Sequence, residues 1–144
     1  LLVSSALAIS GFITAEGMGI VPTIVSWLNP LMEGKSALAI TLLFVAIGLI
    51  MTNFLNDVVT CMVLYPIGAQ FILDGGSIML FAILFAQVTI QGCLMPSGSI
   101  VGAMFHGNAA WMKPKDIFFY VAIMEVVLLF VLLLAALWGQ FLGV

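Results

Sequence analysis

Long apolar runs make up most of the chain, and short polar stretches divide them. Residues 1–14 read as a helix or the tail of one, interrupted by Gly11, Thr14, Glu16, Gly17 and Gly19. Residues 18–32 are apolar but carry Pro22, Trp27, Asn29 and Pro30. That pattern predicts a helix of modest length ending near a membrane interface, where tryptophan is enriched. Glu33-Gly34-Lys35-Ser36 is a polar turn, and Ser36 is placed to cap a helix predicted over 37–54. A helix over 58–72 ends at the loop Asp74-Gly75-Gly76-Ser77, where Ser77 caps a further helix over 77–94 bearing Gln87 and Gln91 on one face. Residues 100–110 form a short apolar piece, and Lys113-Pro114-Lys115-Asp116 reads as a loop and cap. Residues 117–138 are the cleanest span, with Trp138 near the far end and Glu125 as the one charge.

Two interruptions stand out, and they are expected to face each other and form half of a transport site. Between Met51 and Thr60 lie Thr52, Asn53, Asn56, Asp57 and Thr60, with apolar sequence on both sides. In hydrocarbon an unpaired polar group costs several kcal/mol, roughly, and a charged one about 2.5–3.5 or more, so this cluster needs a partner. The helix after it reaches roughly 22 Å at about 1.5 Å per residue, short of a hydrocarbon core about 30 Å thick. That length suits a re-entrant hairpin with 37–54 descending and 58–72 returning; two ordinary spans joined by a polar surface turn are the alternative. The second interruption, Met95-Pro96-Ser97-Gly98-Ser99, breaks the span over 77–110. Pro96 removes a backbone donor and Gly98 lets the chain leave helical geometry, which is more than a packing kink requires.

Composition fixes the class. Apolar residues make up 65 % of the chain, charged residues 6 %, and mean hydropathy is +1.36. A soluble domain carries about 25 % charge. The runs are too long for barrel strands of about 10 alternating residues, so an all-α integral membrane fold is expected. Lys35, Lys113 and Lys115 are the three basic residues, too few for a nucleic-acid-binding face. Cys61 and Cys93 sit in apolar runs and read as small core fillers. The chain begins within an apolar run, without a basic n-region or cleavage site, and so reads as the C-terminal part of a longer membrane protein and not as a signal peptide. One transmembrane domain over 1–144 is expected, with leading helices in 1–35, a re-entrant hairpin in 36–73, a broken helix in 77–110 and a final transmembrane helix in 116–142. The positive-inside rule places the Lys113/Lys115 loop in the cytoplasm, and the C-terminus and the Asp74 loop outside.

A helix that starts in mid-membrane directs its free N–H groups and positive dipole end at whatever lies there. The starts at Asn56-Asp57 and at Ser97-Gly98-Ser99 therefore suit an anionic group. The helix ending at Phe54-Leu55 offers free carbonyls instead. With Asn53, Asn56 and Asp57 these form an oxygen donor set for Na⁺. Substrate contacts are expected from Asn56, Asp57, Thr60, Ser97, Gly98 and Ser99, by side chain or backbone N–H. His106, near a helix end, reads as interfacial or capping, and Glu125 as a proton carrier or an interhelical hydrogen-bond partner.

From Thr52 to Ile67, Thr-Asn-Phe-Leu-Asn-Asp-Val-Val-Thr-Cys-Met-Val-Leu-Tyr-Pro-Ile resembles the second re-entrant hairpin of the divalent anion/sodium symporters, a family of the ion transporter superfamily. There the pattern is Thr-Asn-x-x-Ser-Asn-Thr-x-Thr, followed by apolar residues and Pro-Ile. Met95-Pro96-Ser97-Gly98-Ser99 resembles that family's Pro-x-Gly-Thr break in the penultimate helix, and the apolar helix after Asp116 is similar to its last. The resemblance covers nearly the whole chain and is weakest in residues 1–35. It implies an inverted-repeat transporter of which this chain is the second repeat, with an outward-opening hairpin and C-terminus. The chain departs from the pattern at Asn56-Asp57-Val58, where the family has Ser-Asn-Thr, and at Ile100-Val101-Gly102, where it has Pro-Pro-Asn. Asp57 beside an anion is repulsive unless a cation or proton neutralises it. Asn-Asp pairs at this break also resemble the arsenite-permease and sodium/proton-antiporter branches.

The expected function is cation-coupled symport of a small anion, such as a dicarboxylate or sulfate, with Na⁺ or H⁺ as the coupling ion and no organic cofactor. Sodium/proton antiport with Asp57 as exchanging carboxylate is one alternative. A structural membrane subunit, in which the polar cluster only joins helices, is another. An enzyme is not expected, because His106, Asp57 and Glu125 show no metal-ligand or nucleophile spacing. The expected partners are the N-terminal repeat of the same transporter, a second copy in a homodimer, the lipid bilayer and the small anion, but no nucleic acid. The expected location is the cell (inner) membrane, crossed several times.

Overall fold

The computed structural model describes residues 15–72, 76–108 and 110–142, together with residues 4, 8, 11 and 12. The helix expected over 1–14 lies largely outside these residues, and so does Asp74. All regular structure among the described residues is helical. A 3₁₀ turn at Glu16–Met18 ends at Gly19, whose φ of 64° is left-handed, and six α-helices follow. They are α1 (Ile20–Met32), α2 (Ala37–Phe54), α3 (Asp57–Ile72), α4 (Ile78–Thr89), α5 (Ile100–Gly107) and α6 (Pro114–Leu142).

Serine caps set three of the starts. The Ser36 hydroxyl accepts from the Ala39 N–H at 3.3 Å, Ser77 from Leu80 at 3.1 Å and Ser99 from Gly102 at 3.0 Å. Each occupies one of the N–H groups that a helix start leaves without an internal partner. Two boundaries differ from expectation. The helix expected to continue to residue 94 ends at Thr89. Gly92 is pressed against the Thr52 carbonyl, so closely that a Cβ there would collide with it. Gln91 consequently leaves the helical face it was expected to share with Gln87. Lys115 and Asp116 belong to the first turn of α6, not to a loop, because Pro114 opens that helix with its φ already suited.

Helices α2 and α4 lie side by side and parallel. Phe44 meets Phe81 edge-on at 6.2 Å, Gly48 faces the Phe85 ring, and the Thr52 hydroxyl donates to the Thr89 carbonyl at 2.7 Å. These pairs advance together four residues at a time. α3 returns antiparallel to α2 after only Leu55 and Asn56, so the two form a tight helical hairpin. Gly68 of α3 admits the Phe44 and Phe81 rings, which a larger residue would displace. On this side the core comprises Met32, Ile40, Phe44, Ile67, Ile72, Phe81 and Phe85. On the other side α6 packs antiparallel across α2 and α4 through Val45, Leu49, Leu84, Val88, Leu132 and Ala136.

By length and composition α2 and α6 each suffice to cross a membrane. α6 has 29 residues, about 44 Å at 1.5 Å per residue. Its buried residues, Ile117, Val121, Glu125, Leu132 and Ala136, form one stripe, and most of the rest of its apolar surface is exposed. Glu125 lies beside the α2–α3 tip, while Ile117 and Val121 continue past it onto Cys93 and Leu94. The tip therefore meets α6 about 17 Å from its first residue and about 26 Å from its last.

Candidate functional site

The two helix interruptions meet. α2 ends at Phe54, and the Asn56 side-chain oxygen accepts from the Val58 N–H at 3.0 Å, which starts α3. The Asp57 N–H donates across to the Gly98 carbonyl at 3.2 Å. Gly98 has no room for a side chain: a Cβ there would stand 2.5 Å from the Gly92 carbonyl oxygen and 2.6 Å from that of Thr52. Real Cβ atoms do not tolerate such distances to backbone, so glycine at 98 is what lets the second break seat against the first.

Beside this contact is a pocket of about 350 Å³ lined by Asn56, Asp57, Val58, Ile90, Ser99, Ile100 and Val101. Asp57 is the charged residue of that lining. Its Oδ1 is buried and has no hydrogen-bond partner, and the same holds for the hydroxyl of Thr60, one turn further along α3 and 1 % exposed. Buried polar atoms are nearly always paired, so two orphans within one turn mark a place where a partner is missing. A carboxylate oxygen, an amide and a hydroxyl, with no basic residue among the lining, offer oxygen donors to a cation. Among the described residues no group of three or more His, Cys, Asp or Glu could hold a metal ion. The donors are all oxygen, one carboxylate with an amide carbonyl and a hydroxyl, and include no thiolate or imidazole of the kind that selects a transition metal.

The structure thus places Asn56, Asp57 and Ser99 on one pocket wall, with the Gly98 carbonyl against Asp57. Thr60 is buried behind the lining. Ser97 is exposed on the outer turn of the second break. The N–H groups of Asp57, Val58 and Gly102 all have protein acceptors in this conformation. Asn53 points away from the pocket, where its amide joins Leu49, Leu94 and Glu125. It borders a second cavity of about 290 Å³, lined mainly by apolar side chains of α2 and α6. Glu125 therefore makes an interhelical hydrogen bond. His106 Nε2 lies 3.1 Å from the Leu94 carbonyl and ties α5 to the break, not to an interface. Thr89 and Gly92 also shape the site and were not anticipated. Gly92, after Gln91 and before Cys93, is the signal that could have marked a close approach there; Thr89 carries none.

Comparison with models of protein families, with curated proteins and with solved structures gives no match for this chain.

Proposed function

We propose that the chain is the C-terminal half of a cation-coupled secondary transporter, carrying a small anion such as a dicarboxylate or sulfate together with Na⁺ or H⁺. One observation carries this reading: two interrupted helices meet at Asp57 and Gly98 around a pocket that buries a carboxylate oxygen with no partner. A polar cluster that merely joined helices would satisfy its own atoms.

Depth supports the re-entrant form. If about 30 Å of α6 from Ile117 onward lies in hydrocarbon, Glu125 sits roughly 12 Å inside one boundary. The α2–α3 tip bonded to it is then within the membrane and not at its surface. Polar, non-helical backbone at that depth is tolerated where it is enclosed by protein or lines a cavity. α4, the 90–99 break and α5 make the matching broken crossing. The site faces the N-terminal repeat across the interface that an inverted-repeat transporter requires, in the cell (inner) membrane.

In this reading the cation binds first, between Asp57, Asn56 and nearby backbone carbonyls. It cancels the charge of Asp57, and the anion then binds over it. Ser99 completes the pocket lining, with Thr60 and the backbone at Gly98 behind it, and the pocket moves with the hairpin and the broken helix. The test is uptake of succinate and of sulfate, with and without an inward Na⁺ gradient, by proteoliposomes of the full-length transporter in which this chain is joined to its N-terminal repeat. Uptake of either that rises with the gradient supports symport. Because Asp57 is unopposed in the pocket, cation exchange is the second reading. Proton flux driven by a Na⁺ gradient, with neither anion moving, would establish that reading in place of the first.

A further inference from the structure

Asn53 sits where three elements meet, and its amide has one workable orientation. A carboxamide has two N–H donors and one carbonyl acceptor. The Leu49 carbonyl, 3.0 Å from Nδ2, can only accept, and the Leu94 N–H, 2.9 Å from Oδ1, can only donate. These backbone groups fix the amide, and its remaining proton meets Glu125 Oε1 at 2.8 Å. Asn53 is 2 % exposed and Glu125 8 %, so both are buried. Beyond Leu94, its carbonyl takes a hydrogen bond from His106 Nε2 at 3.1 Å, and because a carbonyl only accepts, the ring carries its proton on that nitrogen. One hydrogen-bonded chain, Glu125–Asn53–Leu94–His106, therefore links α6, α2, the 90–99 break and α5. Neither Glu125 nor His106 lines the pocket beside Asp57. The peptide they hold leads within five residues to Gly98, whose carbonyl accepts from the Asp57 N–H, and to Ser99, which lines the pocket.

We infer that Glu125 is a positioning residue: through Asn53 it holds the 90–99 break, and with it Gly98 and Ser99, against the α2–α3 tip. What it must present is an acceptor oxygen. The carboxylate, the carboxylic acid and the amide of glutamine all provide one, whereas alanine provides none. This role rests on the transporter reading only for its effect on uptake.

Cys93, adjacent to Leu94 and 7 % exposed, reports on the break independently of transport. The experiment measures its alkylation rate by N-ethylmaleimide in the reconstituted full-length transporter containing this chain, with mass spectrometry separating Cys93 from Cys61, alongside Na⁺-driven uptake. Glu125→Gln is expected to keep Cys93 protected and to keep uptake. Glu125→Ala is expected to speed alkylation by about tenfold or more, the order expected when a buried hydrogen bond is lost, and to raise the Na⁺ concentration for half-maximal uptake more than it lowers the maximal rate. His106→Ala, at the other end of the chain, is expected to expose Cys93 likewise, and it decides the matter if Glu125→Ala does not fold. Cys93 remaining protected in Glu125→Ala, or in His106→Ala when that variant decides, overturns the inference. Loss of uptake in Glu125→Gln with Cys93 still protected also overturns it and assigns the carboxyl to proton transfer. If the wild type transports neither anion, the transporter reading falls, while the alkylation rates still decide whether Glu125 holds the break.

Discussion

Thr60 carries an unusual cost for one residue. Its hydroxyl is buried with no partner, a state that costs about 1–3 kcal/mol when left unmade. Thr60→Val removes the orphan at nearly constant shape. Its thermal unfolding in detergent, in the absence of Na⁺ and substrate, is expected to match wild type or to correspond to a gain of up to about 1 kcal/mol. A clear loss of stability would show that the hydroxyl is already bonded in the fold, and would remove it from the site. Gly98 behaves in the opposite way. Gly98→Ala sets a methyl group against two backbone carbonyls that cannot turn aside, and overpacking of this kind costs about 1–3 kcal/mol or more. Gly107→Ala is the control, since a Cβ there meets nothing within 4 Å. Detergent melts should therefore separate the two variants, with only Gly98→Ala shifted downward. Equal melting would mean that the two breaks are not in contact.

At the scale of elements, α5 is the most dependent piece. An isolated eight-residue helix is too short to be stable in water, and this one relies on its Ser99 cap and on His106 holding Leu94. Ser99→Ala is expected to cost about 1 kcal/mol locally. The loss should appear as faster amide exchange over residues 102–106, with α6 unchanged, and uniform exchange across both helices would contradict it. The caps at Ser36 and Ser77 and the full extent of α2 were legible in the sequence, because a polar turn, a capping hydroxyl and an apolar run are local signals. The end of α4 was not, because Gly92 stops it by contact with Thr52 on another helix. The inward face of α6 was equally hidden. That helix is apolar all round, and nothing in the pattern says that Glu125 shares a stripe with Ile117, Val121 and Leu132.

At the scale of the whole molecule, α6 runs past the hairpin tip, and on the proposed transporter reading this places the polar cluster within the membrane. The sequence marked both interruptions, and it offered Asn56, Asp57 and Ser99 as chemistry, three residues that line one pocket. That the two interruptions face each other was expected, and the Asp57–Gly98 hydrogen bond joins them; what the pattern could not show is that Asn53 faces away from the pocket toward α6. The depth itself is measurable. A nitroxide on a cysteine introduced at exposed Phe54 should lie about 12 Å inside the hydrocarbon boundary by relaxation with oxygen and a polar nickel complex. A label at headgroup level would mean that α2 and α3 are full crossings. The central claim is that Asp57, held at this depth by the meeting of the two breaks, binds the coupling cation. The most direct measurement is the Na⁺ dependence of anion uptake in proteoliposomes of the full-length transporter containing this chain, wild type and Asp57→Asn, matched for folded protein. The predicted result is a rise of about tenfold or more in the Na⁺ concentration for half-maximal uptake, the scale set by removing one charge from an ion's contact shell. An unchanged Na⁺ dependence in the variant would contradict the claim.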